Sequence, residues 1–334
     1  MAYFDALKID PSTAIKVIVA THWHDDHYKG LSKIIGAAPD AKICIPIALT
    51  CPEFLKFAKR MAKNKSAVAR VKLDEFSATI DEIGDRNERG LVNFAFADVR
   101  KQLYSVPADQ SGHGLPCEVA ALSPSEGDIL NFLERIMPLT PQGRRTKRSI
   151  SSAEPNEVSI VTLIKIGDCE ILLAGDLENS GKDNSGLEGI VANHRTMPFG
   201  KGASLYKVGH HGSETAYNLD IWNELATKDP HSVVTPWRKG GGRLPTKEGV
   251  KAIVQHSTEA FITASDARTR ARKKNRPLGV TRQLRDSNMR LRSLTPPFGA
   301  VRFRMPDCAT GEWKIELFGN ACHLKQFVKR KAAA

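Results

Sequence analysis

The sequence lacks several features that would assign it to a class of protein at once. It contains no run of the roughly eighteen apolar residues that a membrane-spanning helix needs. Its start, MAYFDALKID, has neither the basic nor the apolar region of a signal peptide. The six cysteines are scattered, with no Cys-x-x-Cys pair, so we expect reduced thiols. These absences favour a cytoplasmic protein without a membrane span.

Two common catalytic signatures are missing as well. The glycine-rich stretch from Lys239 to Gly242 lacks the spacing of a phosphate-binding loop and the Ser/Thr-bearing helix that would follow it. Ser213 lies in no nucleophile-elbow motif, so a Ser–His–Asp triad cannot be assigned. No internal repeat is visible. The chemistry therefore has to come from other residue types.

The composition is that of an ordinary globular protein with a strong positive charge. The chain has 334 residues, of which 41% are hydrophobic and 26% are charged, enough to bury a sizeable core. Its formal net charge is +12. Such a charge favours an anionic partner, DNA and RNA included, without specifying one.

The most informative stretch is the sequence Thr-His-Trp-His-Asp-Asp-His at residues 21–27. It follows an apolar run, residues 14–20, that predicts a short buried strand. A strand end can present His22, His24, Asp26 and His27 from a fixed base. Imidazole and carboxylate groups are the ligands that suit zinc, manganese or iron. This stretch therefore predicts a metal site.

Two later stretches have the same arrangement of a strand followed by polar ligands. A predicted hairpin, residues 158–174, ends in Gly175 and Asp176. Another strand runs into Gly-His-His-Gly, which contains His210 and His211. Successive side chains diverge, so one histidine is expected to bind metal while the other contacts substrate or donates a proton. We lean slightly towards His210 as the ligand.

The pattern His-x-His-x-Asp-His resembles the first motif of the metallo-β-lactamase superfamily of binuclear metal hydrolases. The resemblance implies an α/β fold of the αββα sandwich type. It also implies that His22 and His24 serve one metal and that Asp26 and His27 serve a second. Asp176 resembles the aspartate that bridges both metals in that family. Asp25 occupies a variable position and receives no role. The expected cofactor is one or two divalent metals, zinc first and manganese as the alternative.

A longer pattern resembles one branch of that superfamily. Asn-x-x-Ser-Ile-Val, the hairpin, Leu-Leu-Ala-Gly-Asp and Lys-Val-Gly-His-His-Gly-Ser are similar to the hydrolase domain of bacterial DNA-uptake competence proteins, and in outline to phosphorylcholine esterases. The likeness covers about residues 8–265. That branch usually has one more histidine, but Leu244 stands in its place. The second metal is then held weakly, held by another ligand, or absent, and His231 is a candidate substitute.

The position of the motif near the N-terminus is unusual for the family. Several strands normally precede it, whereas here only about twenty residues do. The start has been assigned too late, the chain is a fragment, or a partner chain supplies the missing strands. We favour truncation and expect the chain as written to be poorly soluble.

The remaining sequence is divided by composition. We expect a strand at Val119–Leu122 and a helix at Pro52–Lys63. His113 is a candidate ligand because it is the only histidine between the first motif and Asp176. Arg144 and Arg272 lie in basic stretches that would hold an anionic substrate. The expected organisation is a metallo-hydrolase domain (1–265) with a basic loop (139–157), a basic segment (266–298), a C-terminal hairpin (299–320) and a tail (321–334). Residues 324–334 of the tail are expected to be frayed.

These observations predict a hydrolase that uses metal-activated water on phosphodiester or other anionic phosphate substrates, as a nuclease or phosphodiesterase does. Asp26, His210 and His211 are the candidate catalytic residues, with Asp26 orienting the water as well as binding metal. Two alternatives remain. One is a hydrolase of small esters, lactones or thioesters. The other is a nucleic-acid-binding protein with a degenerate metal site.

Overall fold

The structure is a computed structural model. It describes residues 2–50, 78–79, 81–86, 88–90, 93–111, 114–136, 155–239, 242–264, 279, 282–283, 286–287, 299–306 and 311–326. The predicted helix at 52–63, His113, Arg144, Arg272 and nearly all of the basic segment 266–298 lie outside the described residues.

The N-terminal part forms a small parallel sheet. Its strands are β1 (Val17–Val19), β2 (Lys42–Pro46) and β3 (Phe94–Ala97), with β2 in the centre. Short helices α1 (Ala2–Leu7) and α2 (Pro11–Ala14) precede β1. Helices α3 (Asp25–Tyr28) and α4 (Leu31–Ala37) connect β1 to β2.

The remainder builds a large mixed sheet of eight strands in the order β15-β12-β9-β8-β7-β6-β5-β4. Neighbouring strands from β4 to β7 are antiparallel, whereas β7, β8, β9 and β12 run parallel. The strands are β4 (Gln102–Val106), β5 (Cys117–Ala121), β6 (Thr162–Ile166), β7 (Cys169–Leu173), β8 (Ala203–Lys207), β9 (Ala226–Val234), β12 (Ala260–Ile262) and β15 (Cys322–His323). The parallel half places the carboxyl ends of β7, β8 and β9 at one edge.

Helices and hairpins complete the described structure. Helices α5 (Glu126–Ile136), α6 (Gly186–Thr196) and α7 (Lys247–His256) follow β5, β7 and β11. A π-helical turn, Ile221–Leu225, leads into β9. Two antiparallel hairpins, β10 (Trp237–Lys239) with β11 (Gly242–Leu244) and β13 (Gly299–Arg304) with β14 (Lys314–Gly319), stand apart from the main sheets.

Three apolar clusters show how these elements pack. In β2, Ile43 and Ile45 pack with α4 and Phe132 of α5, whereas Cys44 lies among residues of β3 and β5. This alternation is expected of a strand that is covered on both faces. The largest cluster joins the main sheet to α6, α7 and the π-helical turn. Full burial of a side chain such as Phe132 contributes about 1.5–3 kcal/mol.

The mixed α/β class and most of the predicted elements are confirmed. The strand before the histidine motif covers only residues 17–19, because residues 11–14 form α2. Strand β3, helix α6 and the β10–β11 hairpin were not predicted from the sequence. The prediction that residues 324–334 are frayed is wrong at its beginning, because Leu324, directly after β15, is fully buried in the largest cluster.

Candidate metal centre

Three loops from different strand ends meet at one point. The first follows β1 and carries His22, His24, Asp26 and His27, and α3 begins within it. The second follows β7 and carries Asp176, while the third follows β8 and carries His211. Side-chain nitrogen and oxygen atoms of these residues lie within 4.8 Å of one another in two overlapping groups. The structure thus brings together residues that are about 190 positions apart in sequence, as the difference between His22 and His211 shows.

The first donor group consists of His22, His24 and Asp176. His22 is fully buried, and its Nε2 lies 3.2 Å from His24 Nδ1 and 3.7 Å from Asp176 Oδ2. Burial lowers the pKa of both histidines, and for His22 the proximity of His27 lowers it further. Both rings therefore favour the neutral form, which is the form that binds metals.

The second donor group consists of Asp26, His27, Asp176 and His211. Asp176 Oδ2 lies 3.1 Å from His27 Nε2 and 3.4 Å from His211 Nε2. Asp26 Oδ2 lies 2.9 Å from His211 Nε2 and 3.9 Å from His27 Nε2. Asp26 is the exposed member of the group, so the cluster opens to solvent on its side.

Asp176 belongs to both groups. Its Oδ2 faces the rings of His22, His27 and His211, whereas its buried Oδ1 has no hydrogen-bond partner in the described structure. Burial would raise the pKa of Asp176, but hydrogen bonds from His211 and His27 hold it well below the usual range. A buried, ionised carboxylate with one unpartnered oxygen fits the ligand that two divalent cations share.

A backbone carbonyl fixes the orientation of His211. Its Nδ1 lies 3.0 Å from the carbonyl oxygen of Thr235, which can only accept, so Nδ1 carries the proton. The Nε2 of His211 therefore faces Asp26 and Asp176. Burial would lower the pKa of His211, but these two carboxylates raise it to about 9. Burial would likewise raise the pKa of Asp26, but the hydrogen bond from His211 lowers it to about 2. The carbonyl–imidazole pair is a common arrangement behind a metal ligand.

His210 occupies a different environment from His211. Its Nδ1 lies 3.1 Å from Glu178 Oε1, and its Nε2 lies 3.3 Å from Asn156 Nδ2. Asn156 also donates to Glu178 over 2.7 Å. Burial would raise the pKa of Glu178, but the hydrogen bonds from His210 and Asn156 lower it to about 2. His210 belongs to neither donor group, whereas His211 belongs to the second, so the geometry favours His211 over His210 as a candidate ligand.

The turn that carries the two histidines has an unusual backbone. His210 has φ 39° and His211 has φ 55°, both in the left-handed region that non-glycine residues seldom adopt. Such conformations persist only where surrounding contacts hold them, and they are concentrated at functional sites. Here the carbonyl of Thr235 and the carboxylate of Glu178 hold the two side chains in different directions.

The turn before Asp176 requires glycine. Gly175 has φ 53°, and a Cβ there would lie 2.5 Å from Ser159 Oγ and 2.8 Å from the Ile160 carbonyl oxygen. Any side chain would push the strand end away from the segment around Ser159. The short approach brings the backbone N–H of Asp176 to within 3.0 Å of Ser159 Oγ.

Neither candidate near the expected extra histidine belongs to the cluster. Leu244 ends β11, opposite Trp237. His231 lies within β9, where its ring is near Phe303 at 6.4 Å between centroids, and it belongs to neither donor group. The second group has four donors without either of them, because His211 completes it.

The β10–β11 hairpin borders the cluster. Its Trp237 ring stacks near His211 at 6.4 Å between centroids, and Pro245 at its end packs beside Gly212. The strand register sets Arg238 opposite Arg243, and both are exposed. An aromatic ring thus lies beside the candidate metal centre, and the same hairpin carries two exposed arginines.

Sequence reasoning assigned no individual role to Ser159, Asn156, Glu178 or the carbonyl of Thr235. Ser159 and Asn156 belong to the quoted pattern Asn-x-x-Ser, and Glu178 follows Asp176 by two positions. The spacing of these residues is visible in the sequence, but the contacts that they make are visible only in the folded structure. Every residue has a backbone carbonyl, so the residue type at position 235 could not indicate this contact.

Comparison with known proteins does not assign the chain. No protein-family model matches it, and no curated protein matches it with statistical significance. None of the helices in the described part of the chain has the length and apolar character of a membrane span.

Proposed function

We propose that this chain is a metal-dependent hydrolase that acts on phosphodiester or other anionic phosphate substrates through metal-activated water. The observation that carries the proposal is the pair of donor groups that share Asp176. One group offers three protein donors and the other four, which resembles the division between an open catalytic position and a more completely liganded one. Zinc suits these imidazole and carboxylate donors, and manganese is the alternative.

Divalent cations at this site would polarise a water molecule and a substrate oxygen. The chain's own residues would position the reactants around them. Asp26, exposed at the opening, can accept a hydrogen bond from the attacking water. His210 is held by Glu178 and Asn156, and its ring lies 6.1 Å from that of His211 between centroids, at the edge of the second donor group. His211 holds its Nε2 towards the shared carboxylate.

The layered packing supports the resemblance to metallo-β-lactamase hydrolases. Residues of both sheets form the third cluster, and helices cover the small sheet in the second cluster and the large sheet in the first. An αββα sandwich of that family would give these contacts. The likeness is an analogy of fold, and the function rests on the donor groups.

Charge favours a phosphate substrate over an uncharged ester. The net charge of +12 attracts polyanions, and Arg238 and Arg243 are exposed on the hairpin beside the cluster. Trp237 adds a ring on which a nucleobase could stack. A hydrolase of small neutral esters would give none of these residues a role.

The alternative of a degenerate metal site is less well supported. One of its grounds was leucine at position 244, but the second donor group has four donors, His211 among them, without a histidine there. A site that had lost its metals would also leave the buried Oδ1 of Asp176 without a partner, which costs free energy.

One assay tests the proposal. The full chain is incubated with zinc or manganese and with labelled single- and double-stranded DNA and RNA, bis-p-nitrophenyl phosphate and acyl esters. We expect phosphodiester cleavage that His24→Ala and Asp176→Ala abolish. The matched control is His231→Ala, a histidine outside both donor groups, which should retain activity. Cleavage of acyl esters alone, or turnover that survives both substitutions, would contradict the proposal.

A further inference from the structure

Ser159 is a fully buried side chain at the junction between the two sheets. It follows the 3-10 turn Pro155–Val158, and its backbone N–H donates to the Asn156 carbonyl over 3.0 Å. Its carbonyl accepts from Ser123 Oγ over 2.7 Å. The backbone is therefore held independently of the side chain, which leaves the hydroxyl to face the metal centre.

The hydroxyl of Ser159 contacts two residues of the candidate metal centre. The backbone N–H of Asp176 donates to Oγ over 3.0 Å. His22 Nδ1 lies 3.2 Å from the same oxygen. A serine oxygen can accept two hydrogen bonds, so it can serve both groups at once.

We propose that Ser159 is a positioning residue, whose hydroxyl accepts the Nδ1 proton of His22 and thereby turns the lone pair of Nε2 towards Asp176. The inference rests on the proposed metal centre, because a histidine that binds a cation through Nε2 keeps its proton on Nδ1. The same oxygen holds the backbone of Asp176. One atom thus sets the distance between a ligand of the small sheet and the shared ligand of the large sheet.

The neighbouring backbone supports this assignment. The N–H of Ile160, the next residue, donates to the carbonyl of Thr21 over 3.0 Å, which ties the same segment to the start of the histidine motif. The close approach of Gly175 leaves no room for a side chain between Ser159 and the Asp176 turn. The segment at 159–160 therefore joins both ligand loops.

A second hydroxyl lies beside His22. Thr21 Oγ1 is 3.1 Å from His22 Nδ1 and 3.5 Å from His27 Nδ1. No hydrogen bond links Thr21 Oγ1 to Asp176 in the described structure, so it cannot couple the two loops. Thr21 is also only partly buried, whereas Ser159 is fully buried. Removal of each hydroxyl should therefore have a different effect on zinc binding.

The test is a zinc titration of the full chain followed by NMR of 15N-labelled histidine rings. The resonances of His22 and His24 report the first donor group, and those of His27 and His211 report the second. Ser159→Ala should weaken zinc binding at the first group by about 10- to 100-fold, the usual effect of losing an outer partner of a ligand. The Nδ1 proton of zinc-bound His22, protected from exchange in the wild type, should exchange faster in the variant.

Ser257→Ala is the matched control. Ser257 is almost as buried, at 1%, and its hydroxyl also makes two hydrogen bonds, to Pro230 O and from Ser232 Oγ, but it touches neither Ser159 nor a ligand. It should lower thermal stability without the loss in zinc affinity. Thr21→Val, which removes the other hydroxyl, should weaken zinc binding less than Ser159→Ala does.

The outcomes are separable. Unchanged zinc affinity and unchanged His22 proton exchange in Ser159→Ala would overturn the inference, as would an equal loss in Ser257→Ala. A larger loss in Thr21→Val than in Ser159→Ala would assign the role to Thr21 instead. A wild-type chain that binds no zinc would refute the metal centre itself and this inference with it.

Discussion

Replacement of Asp176 by asparagine should empty one of the two proposed metal positions and weaken the other. The change keeps the shape of the side chain but removes its charge. The first donor group would fall from three protein donors to the two histidines His22 and His24, and the second from four to three. Zinc sites in proteins rarely have fewer than three protein ligands. We therefore expect metal content to fall from two per chain to one.

The size of the expected loss in metal affinity follows from the charges of the two cations and of Asp176. Two divalent cations ~4 Å apart repel by ~16 kcal/mol at an effective dielectric constant of 20, four times the value for unit charges. A carboxylate oxygen ~2 Å from each cation returns a comparable attraction to each. Without the charge of Asp176, the repulsion between the cations is no longer offset, so the loss at the first group should exceed the roughly 10- to 100-fold effect of an outer-shell change.

Metal content by mass spectrometry and zinc titration against a chelating dye would measure this loss. His24→Ala and His27→Ala serve as comparisons, because each belongs to one group only. His24→Ala should lose the first metal alone, and His27→Ala should weaken the second alone. Two tightly held metals in Asp176→Asn, or equal losses in all three variants, would refute the assignment of Asp176 as the shared ligand.

Four further predictions follow from the same geometry. Gly175→Ala should destabilise the protein by about 2 to 5 kcal/mol, from the positive φ and the contacts with Ser159 and Ile160, and should lower metal content; urea unfolding measures the first effect. Leu244→His should not raise metal content in the wild-type background, whereas His211→Ala should lower it, as a zinc titration of both variants would show. Arg243→Gln should weaken binding of oligonucleotides and reduce the slope of log K against log salt by about 1, while the exposed Arg304→Gln on the β13–β14 hairpin leaves the slope unchanged. Removal of metal by a chelator should lower the free energy of unfolding by about 2.7 kcal/mol for each site at which the free zinc concentration had been 100 times the Kd. Added zinc should restore that stability, as calorimetry would show.

Much of the candidate site could be predicted because its ligands follow strands with clear apolar patterns. Residues 17–19 are apolar and residues 169–173 are apolar except for Glu170, both end in polar loops, and the carboxyl ends of such strands tend to meet. Histidine and aspartate seldom occur close together at strand ends, so a pattern of such residues is noticeable in the sequence. The residues recognised in this way were His22, His24, His27 and Asp176. Local pattern and chemistry were sufficient for these residues.

The choice between His210 and His211 could not be predicted in the same way. The two residues are identical and adjacent, so their roles depend on long-range partners. Thr235 follows β9 and Glu178 follows β7, and only the folded backbone brings their oxygens to different rings. The left-handed conformations of both histidines also have no signal in sequence, because they are imposed by those contacts.

Elements with weak local patterns were missed for related reasons. Strand β3, Phe94–Ala97, alternates phenylalanine with alanine, and Ala95 and Ala97 are buried only because the large sheet packs against them. The β10–β11 hairpin has a glycine-rich sequence that indicates a turn more clearly than strands. Tertiary packing decided both elements.

The most direct test of the central claim is X-ray absorption spectroscopy of the zinc-loaded chain. We predict imidazole and carboxylate ligands and a zinc–zinc vector, that is a metal–metal distance, of roughly 3.5–4 Å. This zinc–zinc signal should be absent in Asp176→Asn. A single isolated zinc, or two zinc ions with no such vector in the wild type, would contradict this prediction.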